Sequence, residues 1–176
     1  MANRAYLFAS DQETYLLDSD WDRAEDCRYY DSRHTIPYGW FFFFDAVDIV
    51  TVNVVSGSSW WQETKFRAEK ERAVANFRRR IPLIIDTFTF GFPADGLLTD
   101  FCSDVESLSG SYLLMDPEAI FRGGGWGTDE QIARRCREIV GAIADPTSSG
   151  ADVRRAIGGG QFSIEDTMQY HRYVVG

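Results

Sequence analysis

The run Trp40-Phe41-Phe42-Phe43-Phe44-Asp45-Ala46-Val47-Asp48-Ile49-Val50-Thr51-Val52-Asn53-Val54-Val55 decides the fold class. Aromatic and β-branched residues fit a pleated, half-buried surface, so Trp40 to Phe44 and Val47 to Val55 both read as strands. Their near-continuous apolar character predicts central strands covered on both faces. Gly57-Ser58-Ser59 then breaks the pattern. Residues 62–80 follow as an amphipathic helix, with Phe66, Ala73, Val74, Phe77 and Ile81 on one face and charged residues on the others. Pro82 should end or kink it. Ile84 to Phe90 fits either a continued helix or a strand.

Upstream, residues 4–10 read as a first strand, with Tyr15-Leu16-Leu17 a candidate second across the polar stretch Ser10–Thr14. Asp18 to Asp31 reads as an acidic loop. Downstream, Gly91 to Gly96 is turn-rich, Leu97 to Leu108 weakly helical, and Ser111 to Met115 a short strand. Gly123-Gly124-Gly125-Trp126-Gly127 reads as a flexible loop feeding a helix from Thr128, whose hydroxyl pairs with Gln131 as a capping box. Ile132, Cys136, Ile139, Val140 and Ile143 form the stripe of that helix, and Asp145-Pro146 stops it. Asp152 to Ile157 predicts a short helix. A last helix is expected from Ser163, carrying His171. Strands and helices mix without regular βαβ alternation, which predicts an α+β fold: one domain over residues 1–176, with a mixed or antiparallel sheet of about 4–6 strands packed against two to four helices.

Bulk composition agrees with a packed globule. The chain has 176 residues, 44% hydrophobic and 15% aromatic, and folding at this length buries roughly 70% of the unfolded surface. Cys27, Cys102 and Cys136 are odd in number without CxxC spacing, so reduced thiols and a cytoplasmic setting are expected. The first residues lack the apolar stretch of a signal peptide. The longest apolar run, Trp40 to Phe44, falls far short of the ~20 residues that span a bilayer. A net charge of −9 opposes binding to a nucleic-acid backbone and suits a basic protein partner instead.

No catalytic, cofactor or metal site emerges from the motifs. Asp18, Asp20 and Asp22 have a calcium-like spacing, but Arg23 and Tyr29 stand where an EF-hand loop needs Gly and Glu. In an extended segment their carboxylates share a face, which makes them either an acidic binding patch or a solvated loop. His34 and His171 lack HxxxH or HExxH context. The glycine run at 123–127 lacks a Walker lysine, and Asp129 and Glu130 beside it disfavour phosphate. Trp60-Trp61 stand out because adjacent residues at an element end do not both point inward, and an exposed Trp is a typical interface anchor. Charge is uneven along the chain: residues 95–118 carry six acidic side chains and no basic one, while residues 62–80 carry three acidic and seven basic ones.

The opening Asn3-Arg4-Ala5-Tyr6-Leu7, followed by Ile36-Pro37 and an apolar strand, resembles an uncharacterised family of bacterial proteins that begin with an Asn-Arg-aromatic strand. That family is similar to the small acidic proteins encoded beside contact-dependent or secreted bacterial toxins, and it brings no catalytic residues. The resemblance implies an immunity-type inhibitor of a toxin. The expected function is therefore a non-enzymatic protein-binding module, with Asp18, Asp20, Asp22, Trp60 and Trp61 as partner-binding residues and a basic protein as the partner. The rival reading is an enzyme using Asp45, Asp48, Asp100 or Asp104, the first two with pKa values raised by burial. A third is a scaffold subunit. Oligomeric state and strand order stay open.

Overall fold

The computed structural model describes residues 4–11, 28–33, 37–56, 58–117, 127–158 and 171–174. Among the described residues six strands form one sheet: β1 (Arg4–Ser10), β2 (Arg28–Arg33), β3 (Ile49–Ser56), β4 (Ser59–Glu69), β5 (Tyr112–Asp116) and β6 (His171–Val174). Their spatial order is β3-β4-β5-β1-β2-β6, and every neighbouring pair is antiparallel. Four α-helices accompany them among the described residues: α1 (Lys70–Thr87), α2 (Asp95–Glu106), α3 (Asp129–Ala144) and α4 (Gly150–Ile157). The architecture is α+β, as the sequence predicts.

Strand pleating sends alternate residues to opposite faces. Phe66, Met115, Leu7 and Tyr30 fall in register across β4, β5, β1 and β2, and all four are fully buried. This row joins Ala73, Val74, Phe77 and Ile84 of α1, Phe101 of α2, Ile139 of α3 and Val153 of α4 in one hydrophobic core. Cys102 and Cys136 are buried free thiols in it, and burial pushes the Cys102 thiol up to about 11.

The aromatic run is not a strand. Residues 38–43 form a 3-10 helix, with Trp40 N–H donating to Pro37 O (2.9 Å) and Phe44 N–H to Phe41 O (3.1 Å). A strand would send half of these rings away from the core. The tighter turn fans all five into it, and Trp40 through Phe44 are completely buried. Phe43 stacks on Phe77 of α1 at 4.3 Å, while Phe41 and Phe44 meet Phe66 of β4 at 5.4 and 5.3 Å. Such a buried segment exposes carbonyls that need donors. Asn76 of α1 donates to Phe43 O at 3.5 Å, and Arg80 donates to Phe42 O and Phe44 O.

The expected helix over 62–80 is divided. Its first part belongs to β4, and α1 begins only at Lys70. Pairing to β3 and β5 on either side overrides the helix-forming composition: Thr64, Phe66 and Ala68 are buried on one face, and Lys65 on the opposite face is buried as well. Pro82 does not end α1, which runs on to Thr87. Pro82 is on the exposed side, where water can solvate the carbonyl that its ring deprives of a donor. Among the described residues β3 is an edge strand, not a central one covered on both faces: Thr51 and Asn53 are exposed. Residues 28–33, read within or beyond the acidic loop, form β2, and His171 lies in strand β6 where a helix was expected. Tyr15–Leu17, residues 118–126 and the segment from Ser163 to Tyr170 lie outside the described residues.

Candidate functional site

Trp60 and Trp61 are consecutive on β4, so the pleat sends them to opposite faces. Trp60 lies on the face that buries Thr64 and Phe66 further along the strand, yet near the hairpin turn it is 71% exposed. Trp61 is half-buried, its indole N–H donating to Glu63 Oε1 at 2.7 Å. Lys65, next on that face, holds Glu63 at 3.1 Å and Asp116 at 2.5 Å. Burial works against charge on Lys65. The two carboxylates, Asp116 foremost, outweigh it and keep the ammonium above its usual range. Trp61 is thus tied into a polar row within the sheet, and Trp60 is the ring of the pair that is presented outward. Asp18, Asp20, Asp22 and His34 lie outside the described residues.

Asp45 and Asp48 sit at the two ends of a single 3-10 turn, Ala46–Asp48, closed as a capping box by Asp45 N–H donating to Asp48 Oδ2 at 2.7 Å. Arg72, Asn76 and Arg80 recur every four residues on α1, so they share one stripe of that helix. Arg72 donates to both carboxylates, at 3.1 Å to Asp48 Oδ2 and 3.3 Å to Asp45 Oδ2. Asn76 donates to Asp45 Oδ2 at 2.8 Å. Arg80 reaches Asp45 Oδ1 with one nitrogen at 2.5 Å and bridges Phe42 O and Phe44 O with the other at 3.0 Å each. Burial would raise the pKa of Asp45, but the hydrogen bonds from Arg80 and Asn76 and the two guanidinium charges hold it below the ordinary carboxylate value. The expectation of a raised value is therefore corrected for Asp45. This constellation clamps the aromatic segment, and its carboxylates are acceptors already engaged.

A different surface opens on α2. Leu98, Phe101, Cys102 and Val105 face the core, and the outward side carries Asp95, Leu97 and Asp100, with half-buried Asp104 one turn on. Phe92, just before the helix, is 47% exposed and Leu97 37%. At the far end of α2, Glu106 pairs with Arg78 of α1, and Lys70 caps the chain by donating to Glu106 O at 3.1 Å. Asp95 and Asp100 have no such basic neighbour among the described residues. Arg78 holds the Glu106 carboxyl below its usual value. The first half of α2 is consequently an acidic surface with two uncovered apolar side chains. The charge asymmetry of residues 95–118 was readable beforehand. Phe92 and Leu97 were not, because they fall in a stretch read only as a turn and a weak helix.

An open recess of about 440 Å³ lies between α3 and α4, bordered by Arg134, Arg135 and Glu138. Arg135 donates to Ile157 O at 3.0 Å and so joins the two helices, and Arg134 lies 3.7 Å from Glu138. Among the described residues, no three His, Cys, Asp or Glu side chains are grouped to hold a metal ion, and no helix is long and apolar enough to cross a membrane. Comparison of the chain with family models, with curated proteins and with solved structures finds no match.

Proposed function

We propose that this chain is a non-enzymatic protein-binding module that docks a basic partner on the first half of α2. The observation that carries the proposal is Phe92 and Leu97 left uncovered beside Asp95 and Asp100, with no basic side chain paired to either aspartate among the described residues. Apolar anchors inside a ring of one charge sign are what a complementary protein surface recognises: charge steers the encounter, and burial of the anchors slows release. The net charge of −9, to which Asp18, Asp20 and Asp22 contribute, extends that steering field beyond α2. Engagement of Asp45 and Asp48 by α1 supports binding over acid–base chemistry at those carboxylates. The toxin-immunity likeness of the N-terminal strand names the form this takes, an inhibitor that covers a basic bacterial toxin.

The test is affinity capture of partners from source cells by the tagged chain at low and moderate salt, repeated with Asp95→Lys and Asp100→Lys together. A stoichiometric basic partner is expected, weakened by salt and by roughly tenfold or more in the double variant. A partner whose affinity and salt slope ignore the double variant would remove α2 from the interface.

A further inference from the structure

The edge strand β3 carries an inference independent of α2. It pairs with β4 along its whole length, from Ile49 opposite Phe66 to Ser56 opposite Ser59, and has no strand on its other side among the described residues. Its sequence, Ile-Val-Thr-Val-Asn-Val-Val-Ser, contains no charge, no proline and no glycine. Natural sheets protect such edges by charge and proline, by bulges and shortness, or by covering them with a helix or loop. The register of β3 is regular and its eight residues span roughly 26 Å.

The direction of its free backbone groups follows from one hydrogen bond. Gln62 N–H donates to Asp129 Oδ2 at 3.3 Å, so it does not face Asn53 opposite. The 53–62 pair is therefore of the non-hydrogen-bonded kind, in which both residues direct N–H and C=O away from each other. By alternation, Thr51 and Asn53, both exposed, present their backbone groups to the open edge.

We infer that β3 is a self-pairing edge, whose occupant is β3 of a second copy of this chain in antiparallel register about a two-fold axis. Three features favour a copy over a foreign strand. An antiparallel strand meeting itself needs no second sequence, since one patch serves both sides. The edge is neutral, so a chain with net charge −9 brings no like charges opposite one another there. Finally, the two most exposed large apolar side chains of the described residues, Val47 (82%) and Trp60 (71%), lie at opposite ends of this edge. A two-fold axis through its middle inverts the ends and carries Val47 of each copy toward the hairpin that bears Trp60 of the other.

The experiment uses the purified chain alone, so its outcome is separate from that of partner docking. Sedimentation velocity over rising concentration should show the mass climb from 20.0 kDa toward twice that value. Added salt should strengthen the association by screening the mutual repulsion of two acidic chains. Hydrogen exchange at Thr51 and Asn53 should be slow when concentrated and fast on dilution. Asn53→Pro removes an outward N–H while leaving the ladder to β4 in place, and should return the mass to that of one chain with unchanged circular dichroism. Thr51→Lys, which places a charge at the edge, should do the same and carries the test if the proline variant unfolds. A single-chain mass at every concentration overturns the inference. So does a dimer that both folded variants leave intact, or protection of these amides only when a foreign strand is added.

Discussion

The two edges of the sheet are built differently. The described part of β6 contains His171 and Arg172, whereas β3 is eight residues long and contains no ionisable side chain. Charged side chains are an ordinary defence against unplanned strand pairing. Among the described residues one edge carries charge and the other does not, and the self-pairing inferred for β3 rests on that contrast. The open edge is also the one given rigid support: the turn that launches β3 is the Asp45–Asp48 box, held by Arg72 and Arg80.

Removing that support should break the comparison most severely. Arg80→Ala strips donors from Phe42 O, Phe44 O and Asp45 in a buried setting, and unfolding in urea should show a loss of about 3–5 kcal/mol. Amide exchange in this variant should accelerate at β3 before β6. Next in size is the edge itself: Thr51→Lys should abolish self-association outright by sedimentation, while Arg172→Thr, at the defended edge, should leave the mass of the assembly unchanged. A smaller effect concerns pH. The Asp45 carboxyl has a lower pKa folded than unfolded, so its contribution is present above the ordinary carboxylate value and is lost as pH falls through the folded value. Asp45→Asn should flatten the acid limb of a stability-against-pH curve measured by thermal melting. The smallest expected change is Thr128→Ala, which removes the hydroxyl that accepts Gln131 N–H at the start of α3 and should cost about 1 kcal/mol. The beginning of α3 supplies Asp129 to Gln62, so that variant should also quicken exchange at Gln62 in the hairpin.

Local chemistry made part of the fold legible. The Thr128–Gln131 box, the stripe from Ile132 to Ile143 and strand β1 were each readable because neighbouring residues alone specify them. The signal for β4 is present in the sequence: Glu63-Thr64-Lys65-Phe66-Arg67-Ala68-Glu69 alternates charged residues with Thr64, Phe66 and Ala68, which face the core. Helix-forming composition masked a period of two, and the strand is settled by partners more than forty residues away in β5. The aromatic run has strand composition but lies between helices and sheet, where only a 3-10 turn directs every ring inward. Arg80 could not be found from sequence because its work is to satisfy carbonyls that a strand would not have exposed. For the candidate surface, the acidic bias of residues 95–118 was legible, whereas the exposure of Phe92 and Leu97 depends on how α2 is seated.

The strand order has a consequence for how the chain assembles. β1 pairs with β2 on one side and β5 on the other, and β5 also pairs with β4. The amino-terminal strands and the β3–β4 hairpin therefore share no ladder until residues 112–116 arrive between them. The strands of both halves precede this five-residue strand in the chain, so during synthesis each half is expected to wait with an open flank until it emerges. Joining of the two halves is a non-local event for which the flank of β1 waits through about a hundred residues of chain growth, and β6 is added to β2 later still.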